Sequence, residues 1–307
     1  MKKTITLFFI GLMVFVFDTR LFNDTIFNIY YRYINDENIK IVSNENLLKE
    51  NNYHNNINSS YIKETDDLLV HNNSELYNVY FTAINRGYDK LTFYCDKSYK
   101  KCIDDINKLD ESNTAFSYIN QLVKVFNSYS TIESTYLNGR VDIKINKKYS
   151  NNDIKRINNE INRIIEELHI NDYEDVKDKI KIFHDYIAST NTYDNEKADN
   201  DDNTYHSDTA IGTLFEGKSI CSGYTDTMSI FLDKLNIPNT RVATKEHVWN
   251  ALYYNNKWMH IDLTWDDPVS SSDNVILYNY FMIDTNKLQE IDNEEHNFNK
   301  TIYDFIK

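Results

Sequence analysis

The pattern of apolar and polar positions along this chain begins with a short apolar run. Residues 5–17 are almost all apolar, and Lys2 and Lys3 stand directly before them. A basic start followed by an apolar run too short to cross a bilayer comfortably is typical of a signal peptide or a membrane anchor. A cleaved signal peptide and a retained membrane anchor are both possible for residues 1–20, because no small-x-small cleavage site follows. Lysines on the N-terminal side predict that the rest of the chain is exported in either case.

The next stretch, residues 21–72, is polar and has no regular apolar period. It is rich in Asn, Asp, Ser and Glu, with scattered aromatic residues. A chain of this composition does not bury enough apolar surface to fold, so we predict a disordered spacer. The spacer would carry the folded part away from a membrane.

Residues 73–148 show alternation and helical spacing in turn, and they predict a small α/β unit. Apolar residues alternate with polar ones at 79–83, 91–95 and 141–145, which predicts three strands. Apolar residues at helical spacing over 116–126 predict a helix. Nothing in this unit looks catalytic.

Residues 149–307 begin with two apolar stripes at helical spacing. Ser150 precedes the first stripe and suits a helix start, and the second stripe spans 176–187, so we predict two helices. An acidic loop at 194–208 follows. Its segment 199–203 lacks the Gly and the distal Glu of a calcium loop, so we predict a solvated connection.

The stretch Gly217–Tyr224 combines two scarce residue types. The chain has 6 Gly and 3 Cys, yet Gly212, Gly217, Gly223 and Cys221 fall within twelve positions. The apolar residues after Cys221 share one helix face, so we predict that a helix begins there. Unpaired N–H groups and the positive end of the helix dipole favour a thiolate, which is the nucleophilic form. The alternative interpretation is a small buried residue at a helix start.

A β-hairpin is predicted about Asn255 and Asn256, because alternating stretches flank this pair. With a two-residue turn, Trp249 faces Asp262, and His247 is a diagonal neighbour of Asp262 on the same face. A thiol nucleophile needs a base and an orienting carboxylate, and His247 and Asp262 supply them. A purely structural role remains the alternative for each residue.

Charge and cysteine count narrow the choice of partners. The formal net charge of −14 argues against nucleic acid or an anionic membrane surface as the main partner. An odd number of cysteines in an exported chain suggests one disulfide and one free thiol. Cys95 and Cys102 lie close in the sequence, and both a bond between them and two free thiols stay open. Cys221 is then the candidate free thiol.

Three ordered sequence blocks resemble the transglutaminase-like superfamily. The blocks are Ala210–Leu214 with Gly217–Tyr224, then His247–Asn250, then Trp258–Pro268. The chain is most similar to the exported bacterial branch of that superfamily. The resemblance implies an α+β fold with a papain-like core, in which a helix bearing the cysteine packs on an antiparallel sheet. The catalytic domain would span residues 149–307.

The resemblance also implies roles for single residues. Cys221 would be the nucleophile, His247 the base and then the acid, and Asp262 the orienting carboxylate, while the Cys221 backbone N–H helps to hold the oxyanion. Residues implied to line or support the cleft are Gly223, Tyr224, Trp249, Asn250 and Trp265. The chain departs from the family at Ile211, where relatives often have Tyr, and at Thr225, where they often have Ala. The calcium of animal members is not carried over, and we expect no cofactor and no metal.

The resulting hypothesis is an exported cysteine enzyme that attacks amide carbonyls of a protein or peptide substrate and forms a thioester. Hydrolysis is favoured; amine transfer to cross-link proteins and a non-enzymatic cell-surface scaffold are the alternatives. We expect an extracytoplasmic location, either secreted or tethered to the membrane by the N-terminal segment. A metal site of His247, His260 and Asp262 is a less favoured alternative. His296, between acidic neighbours and beyond the core motifs, is predicted to be exposed and idle.

Overall fold

The computed structural model describes residues 51–109, 115–267, 275–292 and 294–306, with the side chains at 115–117 excluded. These residues form two four-stranded sheets and one two-stranded sheet, with helices between them. The mixture confirms the α+β class. The predicted signal or anchor segment and residues 21–50 of the spacer lie outside the described residues. Among the helices that are described, none is long and apolar enough to span a membrane.

The N-terminal unit contains one sheet and three helices. Its elements are β1 Leu69–Val70, α1 Asn73–Asn85, β2 Lys90–Cys95, α2 Cys102–Leu109, α3 Ala115–Leu122, β3 Tyr129–Leu137 and β4 Arg140–Lys147. The sheet order is β1-β2-β4-β3, with β1 parallel to β2 and the other pairs antiparallel. The strands predicted at 91–95 and 141–145 are present. The helix predicted over 116–126 is also present, as α3, but it ends at Leu122.

The strand predicted at 79–83 is wrong, because these residues belong to α1. One face of α1 is buried at helical spacing, through Leu76, Val79, Tyr80, Ala83 and Ile84. The polar positions between them are buried as well, because they bind the segment that precedes the helix. Asn78 accepts from the N–H of Lys63 at 3.0 Å, and Thr82 accepts from the N–H of Thr65 at 2.9 Å. Alternating polarity therefore marks hydrogen-bond partners here and not a solvent face.

Residues 51–72 also differ from the prediction, since they pack on the folded unit. Ile62 is 2 % exposed. Asn55 exchanges two hydrogen bonds with Asn85 of α1, both 3.0 Å long. The segment also donates a backbone N–H to Asp304 near the far end of the chain, at 3.1 Å. The backbone of this segment is thus satisfied by side chains of the folded unit, although its composition alone predicts disorder.

The C-terminal unit is built around an antiparallel sheet. Its elements are α4 Asn151–Glu167, α5 Val176–Thr190, β5 Thr192–Tyr193, α6 Asn195–Asn200, β6 Lys218–Ser219, α7 Cys221–Lys234, β7 Asn239–Ala243, β8 Val248–Tyr254, β9 Lys257–Ile261, α8 Leu263–Asp266, β10 Phe281–Ile283 and α9 Thr285–Ile291. The sheet order is β10-β9-β8-β7. The two predicted helices are α4 and α5, and Ser150 caps α4 through a reciprocal pair of bonds with Asp153.

The central element of this unit is α7, which packs between α5 and the sheet. Tyr224, Met228 and Phe231 on α7 are at most 1 % exposed. The ring of Phe231 stacks on Phe183 of α5 with centroids 3.8 Å apart. Burying each large side chain contributes about 1.5–3 kcal/mol. The helix that begins at Cys221 is therefore held rigidly in the core.

A buried ion pair joins the two units across the predicted boundary at 148/149. Arg241 of β7 donates to Asp226 of α7 at 2.6 Å. The same guanidinium donates to the carbonyl of Val123 at 3.1 Å and to Ser128 Oγ at 2.8 Å in the N-terminal unit. Because Arg241 and Asp226 are both almost fully buried, the N-terminal unit is anchored to the helix that carries the thiol.

Candidate active site

Cys221 is the first residue of α7, and its thiol is half-buried. Gly217, just before it, has φ +64°, in the left-handed region that favours glycine. Gly223 lies in the first turn of α7, where a Cβ would be 2.2 Å from the carbonyl oxygen of Ser207. Gly217 is thus required by the turn before Cys221, and Gly223 by the close approach of the Ser207 backbone.

The three cysteines of the chain form one disulfide and one free thiol. Cys95 at the end of β2 is bonded to Cys102 at the start of α2, and both are buried. Of the two alternatives that the sequence leaves open, the bond is the one found. Cys221 is the cysteine that remains free.

The hairpin of β8 and β9 has the predicted register. Asn255 and Asn256 both adopt positive φ, as a two-residue hairpin turn requires. His247 directly precedes β8, and Asp262 directly follows β9. The side chains meet, with 2.5 Å between His247 Nε2 and Asp262 Oδ2.

Asp262 is a buried carboxylate surrounded by donors. Its Oδ1 accepts the backbone N–H groups of Thr264 and Trp265 at 2.9 and 3.3 Å, which caps α8. Burial on its own raises the pKa of Asp262. The charge of His247 and hydrogen bonds from two histidines outweigh burial and hold this pKa well below its usual range. Asp262 is therefore ionised throughout the physiological range.

His247 takes its electrostatic character from this carboxylate. Burial lowers the pKa of His247, but the charge and hydrogen bond of Asp262, together with a hydrogen bond to Cys221, raise it to about 10. The ring holds a proton at neutral pH. Because Nε2 is bonded to Asp262, Nδ1 is the nitrogen left for the Cys221 thiol.

His296 is also part of this cluster, so the prediction of an exposed, idle side chain is wrong. Its ring is fully buried. Nε2 lies 2.8 Å from Asp262 Oδ2, and Nδ1 lies 2.6 Å from Asp292 Oδ2. The ring stacks on Tyr280 and meets the edge of Trp249. Acidic neighbours suggested a surface position, whereas long-range packing of the last segment brings the ring inside; the Asp292–His296 spacing was the one sequence signal.

His260 does not join the cluster as a ligand. Trp249 Nε1 donates to His260 Nδ1 at 3.0 Å, so His260 Nε2 carries the proton and donates to Thr285 Oγ1, also at 3.0 Å. Burial and then the charge of His296 lower the pKa of His260 to about 3. His260 is a neutral hydrogen-bonding residue beneath the site.

The candidate metal ligands of the described residues are arranged as hydrogen-bond partners. His247, Asp262 and His296 have ligand atoms within 4.8 Å of one another. However, one oxygen of Asp262 already accepts from both histidines, so the three are satisfied without an ion. In the acidic loop, Lys197 Nζ binds Asp201 at 2.8 Å and Asn203 at 2.6 Å.

Aromatic side chains border the thiol and the imidazole. Trp249 lies nearly parallel to the His247 ring, with centroids 5.8 Å apart. Trp265 meets the same ring edge-on and is 37 % exposed. Tyr193, which sequence reasoning missed, lies close to Cys221; burial first, and then the negative charge of Cys221, raise the pKa of Tyr193 to about 12. These rings thus lie around the pair formed by Cys221 and His247.

The remaining implied residues support the site from behind. Tyr224 donates its hydroxyl to Asp267, and Asn250 donates to the carbonyl of Thr225 at 3.0 Å. Thr225, at a position where relatives often have Ala, donates its hydroxyl to a carbonyl of β8 at 3.0 Å. Ile211, in place of a frequent Tyr, packs against the core around α7. Both departures thus take structural roles.

A family model matches the part of the chain that contains this site. Residues 164–263, which include all three of Cys221, His247 and Asp262, match the transglutaminase-like superfamily, as the sequence blocks predicted. No curated protein matches the chain.

Two solved structures are similar to the chain. One is titled "Crystal structure of a TGase": 18 % identity, 48 % of this chain and 47 % of that chain covered, TM-score 0.36. The other is titled as a "Putative Cysteine Protease from Cytophaga hutchinsonii": 16 % identity, 44 % of this chain and 61 % of that chain covered, TM-score 0.28. The chain spans less than two thirds of either.

Proposed function

We propose that the transglutaminase-like domain at residues 164–263 makes this protein a cysteine enzyme that attacks amide carbonyls through a thioester. One observation supports this most strongly. The free thiol at the start of α7 interacts with the His247 imidazole and helps to raise its pKa, and Nε2 of that imidazole binds a buried carboxylate. A strongly shifted pKa in a residue beside a nucleophile is typical of catalytic sites.

The first half-reaction follows from this geometry. With its proton on His247, the sulfur of Cys221 attacks the carbonyl carbon, and the carbonyl electron pair moves to oxygen. The N–H of Cys221, at the first position of a helix, has no acceptor within that helix and can donate to the oxyanion. The C–N bond then breaks, and His247 gives its proton to the departing amine. Asp262 holds the ring in place throughout.

The second half-reaction needs an acceptor for the acyl group. His247, now neutral, removes a proton from that acceptor as it attacks the thioester carbonyl. The C–S bond then breaks, which releases the acyl product and leaves the sulfur of Cys221 beside a protonated His247, as at the start. We favour water over a lysine amine, because Cys221 is only half-buried and Trp265, which meets the His247 ring, is 37 % exposed. Amine transfer is the alternative outcome.

Alkylation kinetics test the enzyme proposal against a scaffold role. We expect iodoacetamide to label Cys221 much faster in the wild type than in His247→Ala. Equal rates in the two proteins would contradict an activated thiol and favour a non-enzymatic scaffold. Cys95 and Cys102 are disulfide-bonded and do not compete for the reagent.

A single incubation distinguishes hydrolysis from amine transfer. The protein is mixed with a glutamine-containing peptide and a primary amine, and the products are resolved by mass spectrometry. We expect hydrolysed peptide to exceed amine conjugate. Conjugate as the main product would favour amine transfer, and Cys221→Ala is the blank.

We also propose an extracytoplasmic location, secreted or membrane-tethered, with a protein or peptide as substrate. The Cys95–Cys102 bond supports export, since such bonds persist in oxidising compartments. The net charge of −14 supports a partner other than nucleic acid. Fractionation of cells after expression of the full chain, with and without residues 1–20, tests the location.

A further inference from the structure

We propose that His296, supported by Asp292, is a positioning residue that holds the Asp262 carboxylate and shares its negative charge with His247. The proposal rests on the function proposed above and extends it. The hydrogen-bonded row would run from Asp292 through His296 and Asp262 to His247 and Cys221.

The two imidazoles meet at one oxygen atom. Asp262 Oδ2 lies 2.5 Å from His247 Nε2 and 2.8 Å from His296 Nε2. The other oxygen accepts two backbone N–H groups at the start of α8. A carboxylate offers about four acceptor positions, and here four donors occupy them. Asp262 therefore keeps its orientation even when the His247 bond lengthens during proton transfer.

His296 is itself rigidly placed. Its ring is fully buried, stacks on Tyr280 with centroids 5.0 Å apart, and meets the edge of Trp249 at 4.6 Å. Asp292, the residue directly after α9, accepts a hydrogen bond from His296 Nδ1 at 2.6 Å. The ring cannot turn without losing two carboxylate contacts and two aromatic contacts.

The charge of His296 follows from the two carboxylates that face its ring nitrogens. Asp292 accepts two backbone N–H groups on its other oxygen, and these bonds with that of His296 outweigh burial and lower its pKa, so it is ionised. Asp262 is ionised as well. Each ring nitrogen of His296 therefore faces a carboxylate that has no proton to give. The pattern is complete only with a proton on both nitrogens, so His296 is a cation in the row.

That cation competes with His247 for one carboxylate. The ring centroids of His247 and His296 are 5.2 Å apart. The other titratable groups facing His296 are His260, which is neutral, and Tyr280, besides Asp262 and Asp292. Without the cation, His247 should hold its proton more tightly, by about two pH units at an effective dielectric constant of about 20. His296 thus keeps His247 able to release the proton to a leaving group.

The test is the pH dependence of iodoacetamide alkylation of Cys221 in the full chain. His296→Gln removes the charge but keeps a donor. Asp292→Asn removes the carboxylate that supports the second proton. Both should move the alkaline limb of the rate profile upward by about two pH units. His184→Gln is the matched control: it removes another fully buried histidine, one that faces Asp185 and Asp266, and should leave the limb in place.

The outcomes distinguish this proposal from the function it rests on. Wild-type alkylation that is unaffected by His247→Ala contradicts the proposed function. Dependence on His247 with an unmoved limb in His296→Gln and Asp292→Asn overturns the positioning role, even if both variants are less stable. A shift in His296→Gln alone removes Asp292 from the proposal.

A measurement on the wild type covers the case in which the variants do not fold. Nitrogen-15 NMR of the histidine rings at neutral pH should show both nitrogens of His296 protonated, and His260 in a neutral form. A neutral ring at His296 would overturn the proposal.

Discussion

Replacing Asp262 with Asn should remove most of the reactivity of Cys221. The carboxylate is the main reason that the pKa of His247 stands at about 10 and not at its ordinary 6.5. That difference corresponds to about 5 kcal/mol, at about 1.4 kcal/mol per unit. In Asp262→Asn burial still disfavours the imidazolium, so the pKa of His247 should fall to its ordinary value or lower.

The assay is the rate of iodoacetamide alkylation at about pH 8. In the wild type nearly every His247 ring is protonated at this pH, whereas in Asp262→Asn only a few per cent should be. In Asp262→Asn most thiolates would therefore lack a cationic partner. We expect the alkylation rate to fall at least tenfold, about as far as in His247→Ala. Asn keeps the oxygen that caps α8, so the change removes the charge and the acceptor that Oδ2 offers to the two histidines but leaves the cap in place.

A matched control shows whether the effect comes from the carboxylate that pairs with His247 or from the loss of any nearby carboxylate. Asp267→Asn removes a carboxylate that accepts from Tyr224 and not from His247. Its alkylation rate should stay within about twofold of wild type. If Asp262→Asn alkylates as fast as wild type while circular dichroism shows both variants folded, the reasoning from the buried ion pair is refuted.

Three further perturbations test the surrounding structure. Because the pKa of His247 is raised on folding, its ion pair stabilises the fold fully below about pH 6.5 and is lost as pH rises to about 10; melting temperatures across this window should fall more in the wild type than in His247→Gln, and equal slopes would contradict it. Gly223→Ala should lower the free energy of unfolding in urea by about 2 kcal/mol, since a Cβ meets the Ser207 carbonyl at 2.2 Å; an unchanged midpoint would count against this packing. Arg241→Met should cost about 3 kcal/mol by leaving Asp226 short of a partner, and a neutral result would show that the ion pair is dispensable.

Much of the candidate site could be predicted from the sequence because its signals are local. The start of α7 at Cys221 follows from a glycine turn and one apolar helix face. The approach of His247 to Asp262 follows from a two-residue turn, which sets the register of the whole hairpin. In both cases a few neighbouring residues decide the outcome.

The errors arose where distant segments decide what a residue contacts. Residues 79–83 alternate in polarity, yet their polar side chains bind an extended segment and sit in a helix. Residues 51–72 look like a spacer by composition, yet their polar groups are satisfied by α1 and by the end of the chain. A count of apolar residues does not predict hydrogen bonds between segments that are distant in the sequence.

The sequence by itself determined the candidate thiol, imidazole and carboxylate, since glycine placement, helix period and hairpin register act within short stretches of chain. Only the tertiary structure decided that His296, which lies 34 residues beyond Asp262, donates to the same oxygen as His247. The physical reason is burial: a carboxylate removed from water must find donors wherever the fold supplies them. Here the last segment of the chain supplies one, and the pair of histidines on Asp262 is the result.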